Sequence, residues 1–134
     1  MPLKRTVADM AADARRRIDE IDPDELAERL GAGAEPPLVI DVREESERAA
    51  GFIPGSVHVS RGVLERDIEK AGFGGVVRDA DLARPIVCYC KGGQRSLLAA
   101  DTLKSMGFTN VLSLRGGFTG WATAGGHVEQ GKRS

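Results

Sequence analysis

Cys90-Lys91-Gly92-Gly93-Gln94-Arg95-Ser96 is the stretch of this 134-residue chain whose residue types and spacing suit chemistry. The apolar run Pro85-Ile86-Val87-Cys88-Tyr89 precedes it, and Leu97-Leu98-Ala99-Ala100-Asp101-Thr102-Leu103 follows. The stretch therefore reads as a turn that carries a cysteine from the end of a strand into the start of a helix. Backbone N–H groups in the first turn of a helix have no intrahelical partner, and the helix dipole is positive there. Negative charge is favoured at such a spot by ~0.3 to 2 kcal/mol. Gly92 and Gly93 let the backbone curl around an anion without Cβ clashes. Lys91 and Arg95 add positive charge on either side, so Cys90 is predicted to act as a nucleophilic thiolate.

Spacing narrows the chemistry. A phosphatase built on this plan carries its arginine six positions after the cysteine. Here Arg95 comes at the fifth position and Ser96 at the sixth, a loop one residue tighter than a tetrahedral phosphate needs. A smaller ring of amides suits one extra sulfur on Cys90, the terminal atom of a persulfide. The segment from Cys90 to Ser96 resembles the active-site loop of the rhodanese (sulfurtransferase) family. A second block runs from Asp41-Val42-Arg43 through Glu47 to Gly51-Phe52-Ile53-Pro54-Gly55-Ser56. It resembles the family's Asp-x-Arg, short Glu-bearing helix and Gly-His-Ile-Pro-Gly-Ala, with Phe52 where histidine is usual and Ser56 where alanine is usual. Arg115-Gly116-Gly117-Phe118-Thr119-Gly120-Trp121 is a third resembling block, a Gly-Gly turn and a Trp-bearing helix.

The resemblance covers residues 19–124 and implies a single-domain α/β rhodanese-like fold: a mainly parallel central sheet with helices on both faces. It leaves an N-terminal helical extension over residues 1–18 and a flexible tail over 125–134. The implied activity is thiosulfate sulfurtransferase-type transfer through a Cys90 persulfide, held by a loop of Lys91, Gly92, Gly93, Gln94, Arg95 and Ser96. The donor is a small anion such as thiosulfate, the acceptor is cyanide, a thiol or a protein sulfur acceptor, and no metal or organic cofactor is called for. Asp41, Arg43 and Arg61 are supporting candidates, each with two readings. Asp41 is a structural group orienting a buried arginine or the next turn, or a plain strand-end cap. Arg43 is a substrate contact, or half of a structural ion pair with Asp41 or Glu47. Arg61 is an attractor of the donor, or a solvated surface arginine. Arg95 has two readings, anion attraction or a brace against an acidic side chain. Two other functions compete: a non-catalytic rhodanese-like binding module, and a cysteine-dependent phosphatase or arsenate reductase.

Composition bounds these readings. Hydrophobic residues make up 41% and charged residues 29%, with 19 basic against 20 acidic side chains. That balance fits one soluble domain and gives no reason to expect nucleic acid or a membrane surface as partner. One Trp, one Tyr and four Phe offer no stacking platform for single strands. The start of the chain lacks the apolar stretch of a secretion signal, and no segment has the length of a membrane span, so a cytoplasmic location is expected. Cys88 and Cys90 are too few for a disulfide framework and poorly placed for a bridge to each other. With His58 and His127 they match no common zinc pattern. Cys88 reads as a small buried residue and His58 as a packed one.

The elements that must position the loop follow from periodicity. Val7, Met10, Ala11, Ala14, Ile18 and Ile21 recur at three and four, predicting an amphipathic helix, with the residues just before Asp22 free to form a short edge strand. Asp22, Pro23, Glu25 and Gly31 mark a second helix from N-cap to stop. Leu38–Val42 and Val57–Val59 read as strands, Ser60–Lys70 as a capped helix, and Ala71–Arg84 as a loop that rims the site. Arg95–Met106 is a helix ended by Gly107, Val111–Leu114 is the last strand, and Trp121 is packing. Strands alternating with helices over 38–115 predict the parallel sheet.

Overall fold

A computed structural model describes residues 3–33 and 35–130. Five strands run parallel: β1 (Asp19–Ile21), β2 (Leu38–Asp41), β3 (Val57–His58), β4 (Ile86–Tyr89) and β5 (Val111–Leu114), in the spatial order β1-β5-β4-β2-β3. The central strands β2 and β4 are buried along their whole length, which is why they read as unbroken apolar runs. Side chains alternate across them and divide the interior into two cores. Leu38, Ile40, Ile86, Cys88 and Cys90 point to one face, Val39, Val87 and Tyr89 to the other.

The first face is covered by three helices, α1 (Val7–Ala14), α4 (Leu64–Phe73) and α5 (Gln94–Met106), through Ala11, Ala14, Leu64, Ile68, Leu97 and Leu103. Burying each such leucine or isoleucine is worth ~1.5 to 3 kcal/mol. The opposite face carries α2 (Pro23–Leu30) and α6 (Gly117–Thr123), packed through Leu26 and Trp121. A short helix, α3 (Glu45–Ala49), follows β2. No helix among the described residues is long and apolar enough to cross a membrane.

The N-terminal extension is pinned to the domain. Thr6 and Asp9 close a capping box at the start of α1. The helix ends at Ala14 rather than running on to Ile21, because Asp19–Ile21 pairs in parallel with Leu112–Leu114. Arg17 then reaches α5, with Nε and Nη2 donating to the Asp101 carboxylate at 2.8 and 2.7 Å.

Several expectations are corrected. Asp22 occupies the N-cap position of α2 without capping it; its carboxylate accepts from Arg115 Nη1 at 2.8 Å. Residues 71–84 do not rim the loop around Cys90. They turn through a 3-10 segment at Asp79–Ala83 and pack at the opposite end of the sheet, where Phe73 stacks on Phe108 and the Leu82 carbonyl accepts from Thr109 N–H. The expected tail is tied back as far as it is described: Phe52 and Glu129 form an antiparallel bridge, and Trp121 Nε1 donates to the His127 carbonyl at 2.7 Å. Residues 131–134 lie outside the described ones.

Candidate active site

Cys90 is the first residue past β4, and the chain turns through Lys91-Gly92-Gly93 into α5. Gly93 sits at φ +105°, a conformation that favours glycine, and a Cβ there would lie 3.4 Å from Gly116 N. Since Gly93 offers no side chain to cap α5, the cysteine sulfur fills the role: Sγ accepts from Gly93 N–H at 3.1 Å and from Ser96 N–H at 3.3 Å. The thiol in turn points at Ser96 Oγ, 3.4 Å away. Ser96 and Ser113 of β5 are fully buried with their hydroxyls 2.8 Å apart, so Ser113 fixes the hydroxyl beside the sulfur. The N–H groups of Gly92, Gln94 and Arg95 find no acceptor among the described residues.

The third sequence block holds the loop from behind. Phe118 N–H donates to the Cys90 carbonyl at 2.7 Å and Thr119 N–H to the Lys91 carbonyl at 3.1 Å. A Cβ on Gly117 would fall 2.5 Å from both carbonyl oxygens, so only glycine permits this approach. Cys90 itself is only 1% exposed. It nonetheless lines an open cavity of about 660 Å³, together with Lys91, Gly92, Gln94 and Arg95 of the loop. Gly116 and Thr119 form another part of the wall, and Val7 and Arg15 of the extension complete it.

The arginines divide by role. Arg95 aims its fork at Glu47 of α3, with Nη1 and Nη2 donating to the two carboxylate oxygens at 3.0 Å each. This pairing holds the Glu47 carboxyl down at about 2 and raises the Arg95 guanidinium. Arg95 is thus the brace of the two sequence alternatives, and Glu47 is its partner. Arg43 takes the ion-pair side of its two readings and not the substrate contact: it is buried, 3% exposed. Its Nε and Nη2 both donate to the fully buried Asp41 carboxylate at 2.9 Å, and Nη2 also donates to the Gly51 carbonyl at 2.7 Å. Burial alone would push the Asp41 carboxyl up; the hydrogen bonds from Arg43 and from Tyr89 O–H overcome it and leave the group below its ordinary range. Arg61 is also withdrawn: it pairs with Glu65 at 3.2 Å and donates to Thr102 Oγ1, and it does not line the cavity.

His58 packs against the Arg43 carbonyl through Nε2 at 2.8 Å. Cys88 lies inside β4 and its thiol is pushed up to about 12 by burial, which makes it inert. Sequence reading missed Glu47 as the partner of Arg95, Ser113 as the support of Ser96, and the clasp made by Gly117. The first two depend on side chains 48 and 17 residues away, and the third had its signal in the Gly-Gly pair.

The chain is similar to known proteins in sequence and in fold. Residues 22–124 match the rhodanese-like domain. A sulfurtransferase of Allochromatium vinosum is 33% identical over 108 residues, 81% of this chain and 92% of that protein. The thiosulfate sulfurtransferase GlpE of Pseudomonas fluorescens is 40% identical over 86 residues, 64% of this chain and 71% of that protein. Among solved structures, a Rhodopseudomonas palustris protein of unknown function, described as a possible tyrosine phosphatase, superimposes with a TM-score of 0.79 at 32% identity. That alignment covers 96% of this chain and 98% of the other. With its sheet order, its clasped cysteine loop and these relatives in agreement, the chain belongs to the rhodanese-like family.

Proposed function

We propose that this protein is a cytoplasmic thiosulfate sulfurtransferase-type enzyme that moves sulfane sulfur through a persulfide on Cys90. The observation that carries the reading is the set of amides around the sulfur. Two already donate to Sγ, and those of Gly92, Gln94 and Arg95 have no acceptor among the described residues while their residues line the cavity. One further anionic sulfur beyond Sγ is the acceptor they lack, and donors fixed in advance stabilise such a charge without reorganising.

The reaction has two displacements. The Cys90 thiolate attacks the outer sulfur of thiosulfate, the S–S bond of the donor breaks, and its electron pair leaves with sulfite. Cys90 then carries a persulfide anion, so the charge of the reactants is conserved. Cyanide or a thiolate, free or on a protein, attacks the terminal sulfur, takes it as thiocyanate or as a new persulfide, and restores the Cys90 thiolate. Lys91 attracts the anionic donor, Ser96 sits within reach of the reacting sulfur, and Arg95 keeps the loop in shape through Glu47. The names of the A. vinosum and P. fluorescens relatives support the same chemistry.

Intact-mass measurement after incubation with thiosulfate tests it. The expected result is a gain of one sulfur atom that cyanide removes and that Cys90→Ser abolishes. Hydrolysis of an aryl phosphate without sulfur uptake would move the protein to the phosphatase class suggested for the R. palustris structure. Neither reaction would make it a binding module.

A further inference from the structure

The wall of the cavity is not built by the rhodanese-like domain alone. Val7 and Arg15 line it beside Cys90, and both belong to the extension that precedes the matched residues 22–124. The extension is a fixed part of the site. Ala11 and Ala14 are fully buried, Ile18 is 3% exposed, Arg17 is held by Asp101, and Lys104 Nζ donates to the Arg17 carbonyl at 3.0 Å. Asp101 and Lys104 lie on α5, the helix whose first turn holds the reactive sulfur. Arg15 and Cys90 are thus positioned from one common frame.

The cations around the site differ in what remains available to a ligand. Arg95 spends its fork on Glu47, Arg115 pairs with Asp22, and Arg43 and Arg61 lie away from the cavity on other carboxylates. Lys91 has no ion pair among the described residues. Arg15 makes one side-chain contact, Nε to Glu20 Oε1 at 3.2 Å, and its two terminal nitrogens have no acceptor among the described residues. A guanidinium held at Nε with a free fork is suited to two oxygens of a tetrahedral oxyanion.

We propose that Arg15 is a specificity-determining residue that, with Lys91, binds the sulfonate end of an anionic sulfane donor and leaves its outer sulfur facing Cys90. The extension thereby turns a general persulfide loop into a site selective for oxyanion-bearing donors over neutral ones. This assignment rests on the sulfur-transfer reading for its role, but the anion site can be tested without turnover.

The test is calorimetric binding of thiosulfate to the full-length Cys90→Ser protein, repeated with Arg15→Gln, Arg15→Lys and, as a neighbouring control, Arg16→Gln. Arg15→Gln is expected to weaken binding about tenfold, the loss of one charge-assisted contact, with Arg15→Lys recovering part of it and Arg16→Gln unchanged. In the Cys90-containing enzyme, Arg15→Gln lowers kcat/KM for thiosulfate by a similar factor and leaves kcat/KM for dithiothreitol, a neutral acceptor, within about twofold. Equal thiosulfate affinity with and without Arg15, or no measurable binding by the parent, overturns the proposal. Arg15-dependent binding by the Cys90→Ser protein, with no sulfur taken up by the Cys90-containing protein, upholds the anion site and sinks the transferase reading instead.

Discussion

The two cysteines of β4 and its continuation stand two residues apart, face the same core and are almost equally hidden, 0% exposed for Cys88 and 1% for Cys90. What separates them is the backbone around each sulfur. Cys88 sits inside the strand, in register with Ile40 on one side and Ser113 on the other, and burial pushes its thiol up to about 12. Cys90 sits one step past the strand, where Gly93 and Ser96 turn their N–H groups onto its sulfur and a cavity opens beside it. Exposure of the side chain therefore does not tell the two sulfurs apart. The carboxyl end of a parallel strand, with the free first turn of a helix behind it, makes the site.

The widest gap should appear when each sulfur is removed in turn. Cys90→Ser is expected to cut thiosulfate–cyanide turnover by more than about 10³-fold, while Cys88→Ala leaves it within about twofold and lowers stability by ~1 to 2 kcal/mol. Steady-state rates and a denaturant titration read both numbers; comparable losses of turnover would erase the distinction.

Asp41 separates the fold's needs from those of the sulfur. Its carboxylate is buried between Arg43, Tyr89 and Arg48 on the face opposite Cys90, so Asp41→Ala strands a buried guanidinium and should cost about 3 to 5 kcal/mol in urea unfolding. Below the transition, alkylation of Cys90 by iodoacetamide should keep its wild-type rate. A tenfold change in that rate would tie the rear network to the chemistry after all.

Gly117→Ala strikes the clasp. The added methyl group meets the carbonyls of Cys90 and Lys91, an overpacking expected to cost ~1 to 3 kcal/mol. Because the strain falls on the loop, turnover should drop by about tenfold or more at temperatures where the protein is fully folded. Thermal melts and rates on one sample would reveal a purely structural effect if only the melt moved.

Acid should test the brace most gently. Glu47 is held at about 2 by Arg95, so its pair stabilises the fold fully above the ordinary carboxylate range, and that contribution fades as pH falls from about 4.5 through about 2. Partial exposure of both partners limits the effect to ~1 kcal/mol. Glu47→Gln should flatten the stability-against-pH curve over that window, and an unchanged curve would remove the brace from the account.

Much of this was legible in the residues. The unbroken runs of β2 and β4 follow from burial on both faces, and the strand–loop–helix around Cys90 and the edge strand before Asp22 follow from the turn and helix-boundary residues beside them. Pairings between distant side chains were not legible. Asp41-Val42-Arg43 allows Arg43 to face either the ligand or its own neighbour, and only the buried side of β2 decides it. The two departures from the usual family block became intelligible only in three dimensions. The Phe52 ring lies under the Arg48 guanidinium at 4.0 Å, and Ser56 Oγ sits 3.1 Å from the buried Tyr89 hydroxyl. Periodicity showed that residues 7–21 had a face to bury, but not that α1 would lie against α5 and bring Arg15 to the cavity.

The sharpest test of a Cys90 persulfide is peptide-level mass mapping after a single exposure to thiosulfate, with persulfides trapped by iodoacetamide. Fragment ions should place one added sulfur on Cys90 and none on Cys88. Sulfur found on Cys88, or shared between the two, would contradict it.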